Sequence, residues 1–244
     1  MKPFFTFFGG KWRSAPHYPA PAHDRIVEPF AGAAGYSVRH HARDVVLVER
    51  DPTIAALWRY LISAKPADIL ALPDVEAGQS VDDLDVCPAA GSLIGFWLNK
   101  GTAAPCKRPS AWMRSGIRPD SFWGPTIRAR IAAQVCAISH WTVIEGDYTE
   151  APAGAATWFI DPPYQGAGSN YRCSSRTIDF TALGRWCVGR AGQVIACENA
   201  GAGWLPFRPL MASKATHGRH RSGVSREAVW IGGEVEAPAI GLAA

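Results

Sequence analysis

The chain has 244 residues, 48% of them apolar, and a formal net charge of +4 at pH 7. That length holds one sizeable domain, or one domain with a small insert. No window of eighteen apolar residues occurs, which excludes a helical membrane span, and the opening "MKPFFTFFGGKWR" is too short and glycine-broken for a secretory signal, so a cytoplasmic protein, with no membrane partner, is expected.

In chain order, "DRIVEPFAGAAGYSV" reads as a short strand, a glycine-rich turn and the start of a helix. "DVVLVERD" carries a continuous apolar run from Val45 to Val48 that suits a strand buried on both faces, and it ends in acids. In "DPTIAALWRYLISA", Asp51 is placed to cap a helix and Pro52 to open it, with Ile54, Leu57, Trp58, Leu61 and Ile62 on one stripe. Residues 64–140 lose this regularity and read as a helical or loop-rich insert. Strand-like runs return at "WTVIEGD", "TWFID", "QVIACEN" and "EAVWIGG", with "DFTALGRWCVGRAG" as a helix between two of them. Strands alternating with helices predict an α/β fold, a doubly wound, mostly parallel sheet built from residues 1–63 and 141–236, with 64–140 as a second lobe and 237–244 as a loose tail.

Charge is distributed unevenly. Residues 100–130 hold Lys100, Lys107, Arg108, Arg114, Arg118, Arg128 and Arg130 against Asp120 alone, a net +6. Residues 208–226 hold five cations and no acid, whereas 68–85 hold six acids and no base. Basic stretches interleaved with Trp and Phe suit either a polyanion partner or a solvated face. The six cysteines include no C-x-x-C pair, and His217 and His220 in "HGRH" have ligand-like spacing without a partner cluster, so no metal is expected.

Three strand ends are chemically marked, and in such a sheet ligands bind at the carboxyl ends of strands. The first is "VEPFAGAAG", where Gly32 and Gly35 allow a tight turn and close backbone approach; the spacing is G-x-x-G rather than the dinucleotide G-x-G-x-x-G. The second is "VLVERD": Glu49, next after the apolar run, fits the acid that accepts both hydroxyls of a ribose. The third is "TWFIDPPYQGAG". Pro162 and Pro163 cannot donate to a ladder and fix φ, so they end the strand and hold Asp161 and Tyr164 in a rigid turn. A carboxylate, the Pro162 carbonyl and an aromatic face together suit an exocyclic amine on a flat ring.

"DPPY" after a strand resembles the catalytic motif of the DNA adenine N6-methyltransferases, "EPFAGAAG" their S-adenosylmethionine loop, and "FFGGKW" the aromatic-x-Gly-Gly-Lys element that opens the Dam-like group. The order of the three, with an intervening recognition region, is that of the Dam-like subgroup, and the resemblance spans about residues 7–200. Phe7 stands where a Trp is common and Glu49 where an Asp is common.

The resemblance implies a Rossmann-like methyltransferase sheet, S-adenosylmethionine as cofactor and double-stranded DNA as partner; the oligomeric state stays open, with a monomer favoured. It implies that the target adenine is flipped out of the duplex. Asp161 and the Pro162 carbonyl then hold the two N6 hydrogens, Tyr164 stacks on the base, and the methyl passes by direct in-line displacement without a metal. It assigns Glu28, Pro29, Phe30, Gly32, Glu49, Asp161 and the Phe8–Lys11 stretch, including Gly10, to the cofactor, with Lys11 pairing either with the cofactor carboxylate or with a phosphate. Asp147 in "EGDY" is either an acceptor from the cofactor adenine or a surface turn acid. For DNA it points to Asn99, Lys100, Lys107, Arg108, Arg114, Arg118, Arg219 and Arg221, with Asn170 and Arg172 in "NYRC" closing over the flipped nucleotide on a loop made mobile by Gly166 and Gly168. Trp97, Trp112 and Trp123 read as core residues or stacking wedges. The alternatives are a methyltransferase on RNA or a protein amide, a non-catalytic DNA-binding homologue, and a nicotinamide-dependent oxidoreductase.

Overall fold

Apolar alternation along the central strands sends side chains to two opposite faces, and each face has its own buried cluster. Ile26, Val45, Leu47 and Phe159 join Phe4, Phe5, Trp58, Phe96 and Ile131 on one side. Val27, Val46, Trp158 and Ile160 join Leu183, Cys187 and Val194 on the other. A sheet covered on both faces is the solution that such strands require. The computed structural model describes residues 1–76, 78–116, 119–166, 168, 171–214 and 224–233.

Its strands are β1 (Arg25–Glu28), β2 (Asp44–Glu49), β3 (Thr142–Glu145), β4 (Ala156–Ile160), β5 (Gly192–Asn199), β6 (Arg208–Lys214) and β7 (Val224–Gly232). They form one sheet in the order β3-β2-β1-β4-β5-β7-β6. The pairs β1–β2, β1–β4, β2–β3 and β4–β5 are parallel, and β7 runs antiparallel to both β5 and β6. The chain thus has an α/β fold with a mixed, mostly parallel sheet, as the strand and helix alternation predicts. β6 is the strand that sequence reasoning missed. It holds Pro209, and its register slips between Pro209 and Met211, a pattern that an edge strand tolerates.

The helices are α1 (Gly35–Arg39), α2 (Pro52–Ser63), α3 (Pro66–Leu70), α4 (Pro88–Trp97), α5 (Ala111–Arg114), α6 (Pro125–Val135) and α7 (Phe180–Val188). Asp51 caps α2 by accepting from Thr53 N at 2.9 Å, with Pro52 at the first helical position. Among the described residues, 64–140 contain helices and turns but no strand. This segment does not build a core of its own. Ile69, Leu93, Ile94, Trp97, Trp123 and Ile127 belong to the same cluster as Phe4, Trp58 and Trp141. Trp97 and Trp123 are core residues, their indoles donating to Phe4 O at 2.8 Å and Pro73 O at 2.7 Å; the Trp112 side chain lies outside the described residues. Among the described residues no helix is long and apolar enough to cross a membrane.

Candidate active site

The connections leave β1 and β4 in opposite directions, β1 toward β2 and β4 toward β5, so a crevice opens between their carboxyl ends. A cleft of about 480 Å³ lies there, lined by Phe7–Lys11, Glu28–Gly35, Glu49–Asp51, Asp147, Asp161–Tyr164 and Tyr171–Cys173. Its size is that of a small-molecule pocket. All three marked strand ends meet in it.

The glycine loop is fastened on both sides. Gly32 takes a positive φ of 45°, donates its N–H to Glu49 Oε2 at 2.9 Å, and its carbonyl accepts from the Trp58 indole at 2.8 Å. Gly35 serves a different approach from the one the sequence suggests. A Cβ there would lie 2.8 Å from the Lys11 carbonyl carbon and closer still to Trp12 N, so it is the chain's own N-terminal segment that needs the space. The loop and the Gly-Gly-Lys element interlock through this contact. Ala34 sits in the left-handed region at φ 46°. Glu28, only 2% exposed, accepts from Ser37 N at 2.6 Å and ties β1 to the first turn of α1. Burial lifts its carboxyl to about 8. Glu28 lines the cleft, but its hydrogen bond is to backbone.

Glu49 closes the second strand end. Its Oε1 accepts from Asp51 N at 2.8 Å and its Oε2 from Gly32 N, and burial lifts its carboxyl to about 7 against the pull of these backbone donors. Phe30 stacks on Tyr148 at 5.5 Å and 25°. Asp147 caps the turn Tyr148–Glu150, accepting from Thr149 N at 3.3 Å, while it faces the cleft.

The third strand end carries the densest chemistry. Lys11, 7% exposed, places Nζ 2.8 Å from Asp161 Oδ1 and 3.9 Å from Glu227 Oε1, donates to Gly9 O at 3.1 Å, and lies 4.7 Å from the centre of the Tyr164 ring. Sequence reasoning offers Lys11 to a cofactor carboxylate or a phosphate; in the structure it is spent on Asp161. The Tyr164 hydroxyl donates to Glu227 Oε2 at 2.6 Å, and the Tyr18 hydroxyl donates to the same oxygen at 3.1 Å. Burial lifts the Asp161 carboxyl to about 6; Lys11 opposes the rise and Glu227 adds to it. Burial alone would pull Lys11 down, but Asp161 and Glu227 outweigh it and hold the ammonium above its usual value.

No family model matches the chain, and no curated protein matches its sequence. Among solved structures it is similar to a conserved hypothetical protein of Streptococcus pyogenes, at 12% identity over 90% of this chain and 89% of that one, with a TM-score of 0.39.

The segment after Tyr164 is pinned at several points. Gln165 N donates to Glu198 Oε1 at 2.6 Å, and the other oxygen of Glu198 accepts from Asn199 N at 2.6 Å. Gly168, expected to loosen this loop, donates to Tyr164 O at 2.6 Å and packs so tightly that a Cβ would lie 2.5 Å from the Pro163 carbonyl carbon. The Tyr171 hydroxyl donates to Phe8 O at 3.1 Å, its ring leaning on Phe7 and Phe8. Arg172, still exposed, reaches across the cleft wall, 3.4 Å from Asp51 Oδ1 and 3.2 Å from Thr53 Oγ1.

Several of the residues read for DNA are engaged by neighbours within the chain. The acidic stretch 68–85 packs beside the basic one and neutralises part of it: Lys107 pairs with Asp82, and Arg128 with Asp74 at 2.5 Å. Arg108 donates to Gly78 O at 2.8 Å and Arg114 to Pro109 O. Lys100 lies 5.2 Å from the Phe122 ring centre, and Asn99 Oδ1 accepts from Lys100 N at 2.9 Å. Arg118, Asn170, Arg219, Arg221, His217 and His220 lie outside the described residues. Among the described residues no group of three or more His, Cys, Asp and Glu is arranged to hold a metal ion.

Sequence reasoning missed Glu227, Tyr18 and Glu198. Two signals were available: an acid at the head of an otherwise apolar strand, "EAVWIGG", and Glu198 as the acid that ends the apolar run of "QVIACEN".

Proposed function

We propose that the protein is an S-adenosylmethionine-dependent methyltransferase acting on adenine N6 in double-stranded DNA. The observation that carries this reading is that Asp161 and Glu49 line one cleft from the carboxyl ends of β4 and β2, on either side of β1. The switch between β1 and β4 supports a Rossmann-like methyltransferase sheet.

The donor set fits such a cofactor. Glu28, Glu49, Asp51, Asp147, Asp161, Asp179 and Glu227 face the cleft against Lys11, Arg50 and Arg172, a balance that suits a ligand with a sulfonium and an ammonium. Glu49, already oriented by two backbone N–H groups, retains lone pairs for ribose hydroxyls. Phe8, Gly10, Pro29, Phe30 and Gly32 supply apolar and backbone walls. When bound, the cofactor supplies an electrophilic methyl on its sulfur.

The rest is the work of this chain's residues. A flipped adenine, extruded at a cost of a few kcal/mol, would offer its amine to Asp161 and the Pro162 carbonyl. The two acceptors would draw the nitrogen lone pair out of conjugation. Lys11 holds Asp161 in place while keeping it ionised at neutral pH, so the carboxylate can receive the proton the nitrogen must shed. Tyr164 has its hydroxyl anchored and one face covered by the ammonium, which leaves the other face for a base. Positioning of this kind can contribute about 7–11 kcal/mol, and the fixed charges add to it.

The test is transfer of labelled methyl from S-adenosylmethionine to duplex DNA, RNA and peptide in parallel, followed by mass spectrometry of the nucleosides. 6-Methyl-deoxyadenosine from DNA, abolished by Asp161→Ala, supports the reading. Label in RNA or peptide alone moves the substrate elsewhere. Cofactor binding without transfer leaves a non-catalytic homologue.

A further inference from the structure

An antiparallel strand enters a sheet at the edge where its parallel neighbours leave it. β7 is such a strand, and its fourth residue, Glu227, lies opposite Asn199, the last residue of β5. Topology therefore delivers a carboxylate to the catalytic edge from a part of the chain that carries none of the recognised motifs. The residues after it, Ala228 and Val229, are apolar and buried, and a carboxylate at 9% exposure among them is costly unless paired. Its partners are the Tyr164 and Tyr18 hydroxyls on Oε2, with Lys11 facing Oε1. Two of these three, Tyr164 and Lys11, are the groups that flank Asp161.

We infer that Glu227 is a positioning residue of the proposed reaction: it fixes the plane of the Tyr164 ring and, as a second counter-charge to Lys11, keeps that ammonium from saturating Asp161. This inference rests on the methyltransferase reading for its consequence in catalysis, but its electrostatic content stands on the cluster alone. With Glu227 ionised, one ammonium is shared by two carboxylates. With Glu227 neutral, the whole charge of Lys11 falls on Asp161, which becomes a weaker base and a poorer acceptor for an amine.

The groups that face Asp161 are Lys11 from the N-terminal segment, Glu28 from β1, Tyr164 and Tyr171 from the segment after β4, Tyr18, Cys197 from β5 and Glu227 from β7. Burial raises the tyrosines and Cys197, which stay neutral near pH 7, and Glu28 titrates only at about 8. Between the ordinary carboxylate range and neutrality, the charge that Asp161 senses is therefore set by Lys11 and Glu227.

The test is a carbon-13 NMR titration of the aspartate carboxyls in the full chain, with Asp161 assigned by Asp161→Asn. Glu227→Gln keeps the size and an acceptor for both tyrosines while removing the charge. It should lower the Asp161 midpoint by roughly one unit or more; an unmoved or raised midpoint overturns the inference. Glu227→Asp keeps the charge and should leave the midpoint near its original place; a fall there too would trace the effect to packing and overturn it. Tyr164→Phe, which removes a hydroxyl but no charge, should not lower the midpoint. In the transfer assay the acid limb of Glu227→Gln should move to lower pH with a reduced kcat. A lowered midpoint in a protein that transfers no methyl sinks the enzyme reading alone; transfer with an unmoved midpoint sinks this one alone.

Discussion

Lys11 and Asp161 form a largely buried ion pair 2.8 Å long, and it joins the first recognised motif of the chain to the last. Removing one partner of such a pair leaves an uncompensated charge. Lys11→Met should therefore lower unfolding free energy by about 3 kcal/mol and raise the Asp161 carboxyl further, moving the acid limb of methyl transfer upward. Denaturant unfolding and a pH–rate profile check the two halves separately.

Stability should fall as pH rises, because three buried acids ionise late. Asp161, Glu49 and Glu28 reach about 6, 7 and 8, each raised first by burial. Between their unfolded and folded values the native state binds more protons than the unfolded chain, so the slope of unfolding free energy with pH is negative. The loss starts near pH 4, where the unfolded acids ionise, and ends above about 8. Glu28→Gln, which keeps an acceptor for Ser37 N, should be more stable than the parent at pH 9 by on the order of 1–3 kcal/mol. Thermal unfolding at pH 5, 7 and 9 measures this.

Cofactor affinity should rise from pH 6 to pH 8, as Glu49 ionises at about 7 and its carboxylate becomes the better acceptor and counter-charge. Glu49→Gln should weaken binding and flatten the profile. Calorimetry with S-adenosylmethionine across that range decides it.

Two glycines in one short segment should behave differently. Gly168→Ala forces a methyl into the Pro163 backbone, while a Cβ at Gly166 meets nothing within 4 Å. The first should cut kcat by on the order of 10²-fold through displacement of Asp161 and Tyr164; the second should leave transfer near wild type. Steady-state kinetics of the pair suffices.

The Lys107–Asp82 pair predicts an effect of an acid on DNA binding. Asp82→Asn should release Lys107 and tighten DNA binding, steepening the salt slope by about one, while Lys107→Gln, which removes a charge already spent on Asp82, should leave the slope near its original value. Filter binding at several salt concentrations reports the slopes.

Much of the framework was legible because single strong rules governed it. The Val45–Val48 run suits a strand buried on both faces, Asp51 and Pro52 suit the opening of a helix, and the paired prolines end a strand, each by a local rule. What stayed hidden depends on long-range pairing. β6 was masked by Pro209 and by a basic composition that reads as a binding stretch. Glu227 matters only because β7 runs backward beside β5, which no local pattern encodes. The mutual neutralisation of 68–85 and 100–130 was missed for the same reason, since each stretch was read without the other.

Because residues 64–140 share their interior with the sheet, they are not an exchangeable cassette. Trp97 and Trp123 are as much keystones of the sheet's core as Phe4 and Trp58. On the proposed methyltransferase reading, altering which sequences are read would mean repainting solvent-facing positions on these helices one at a time, since replacing the whole segment would pull the floor from beneath the cleft.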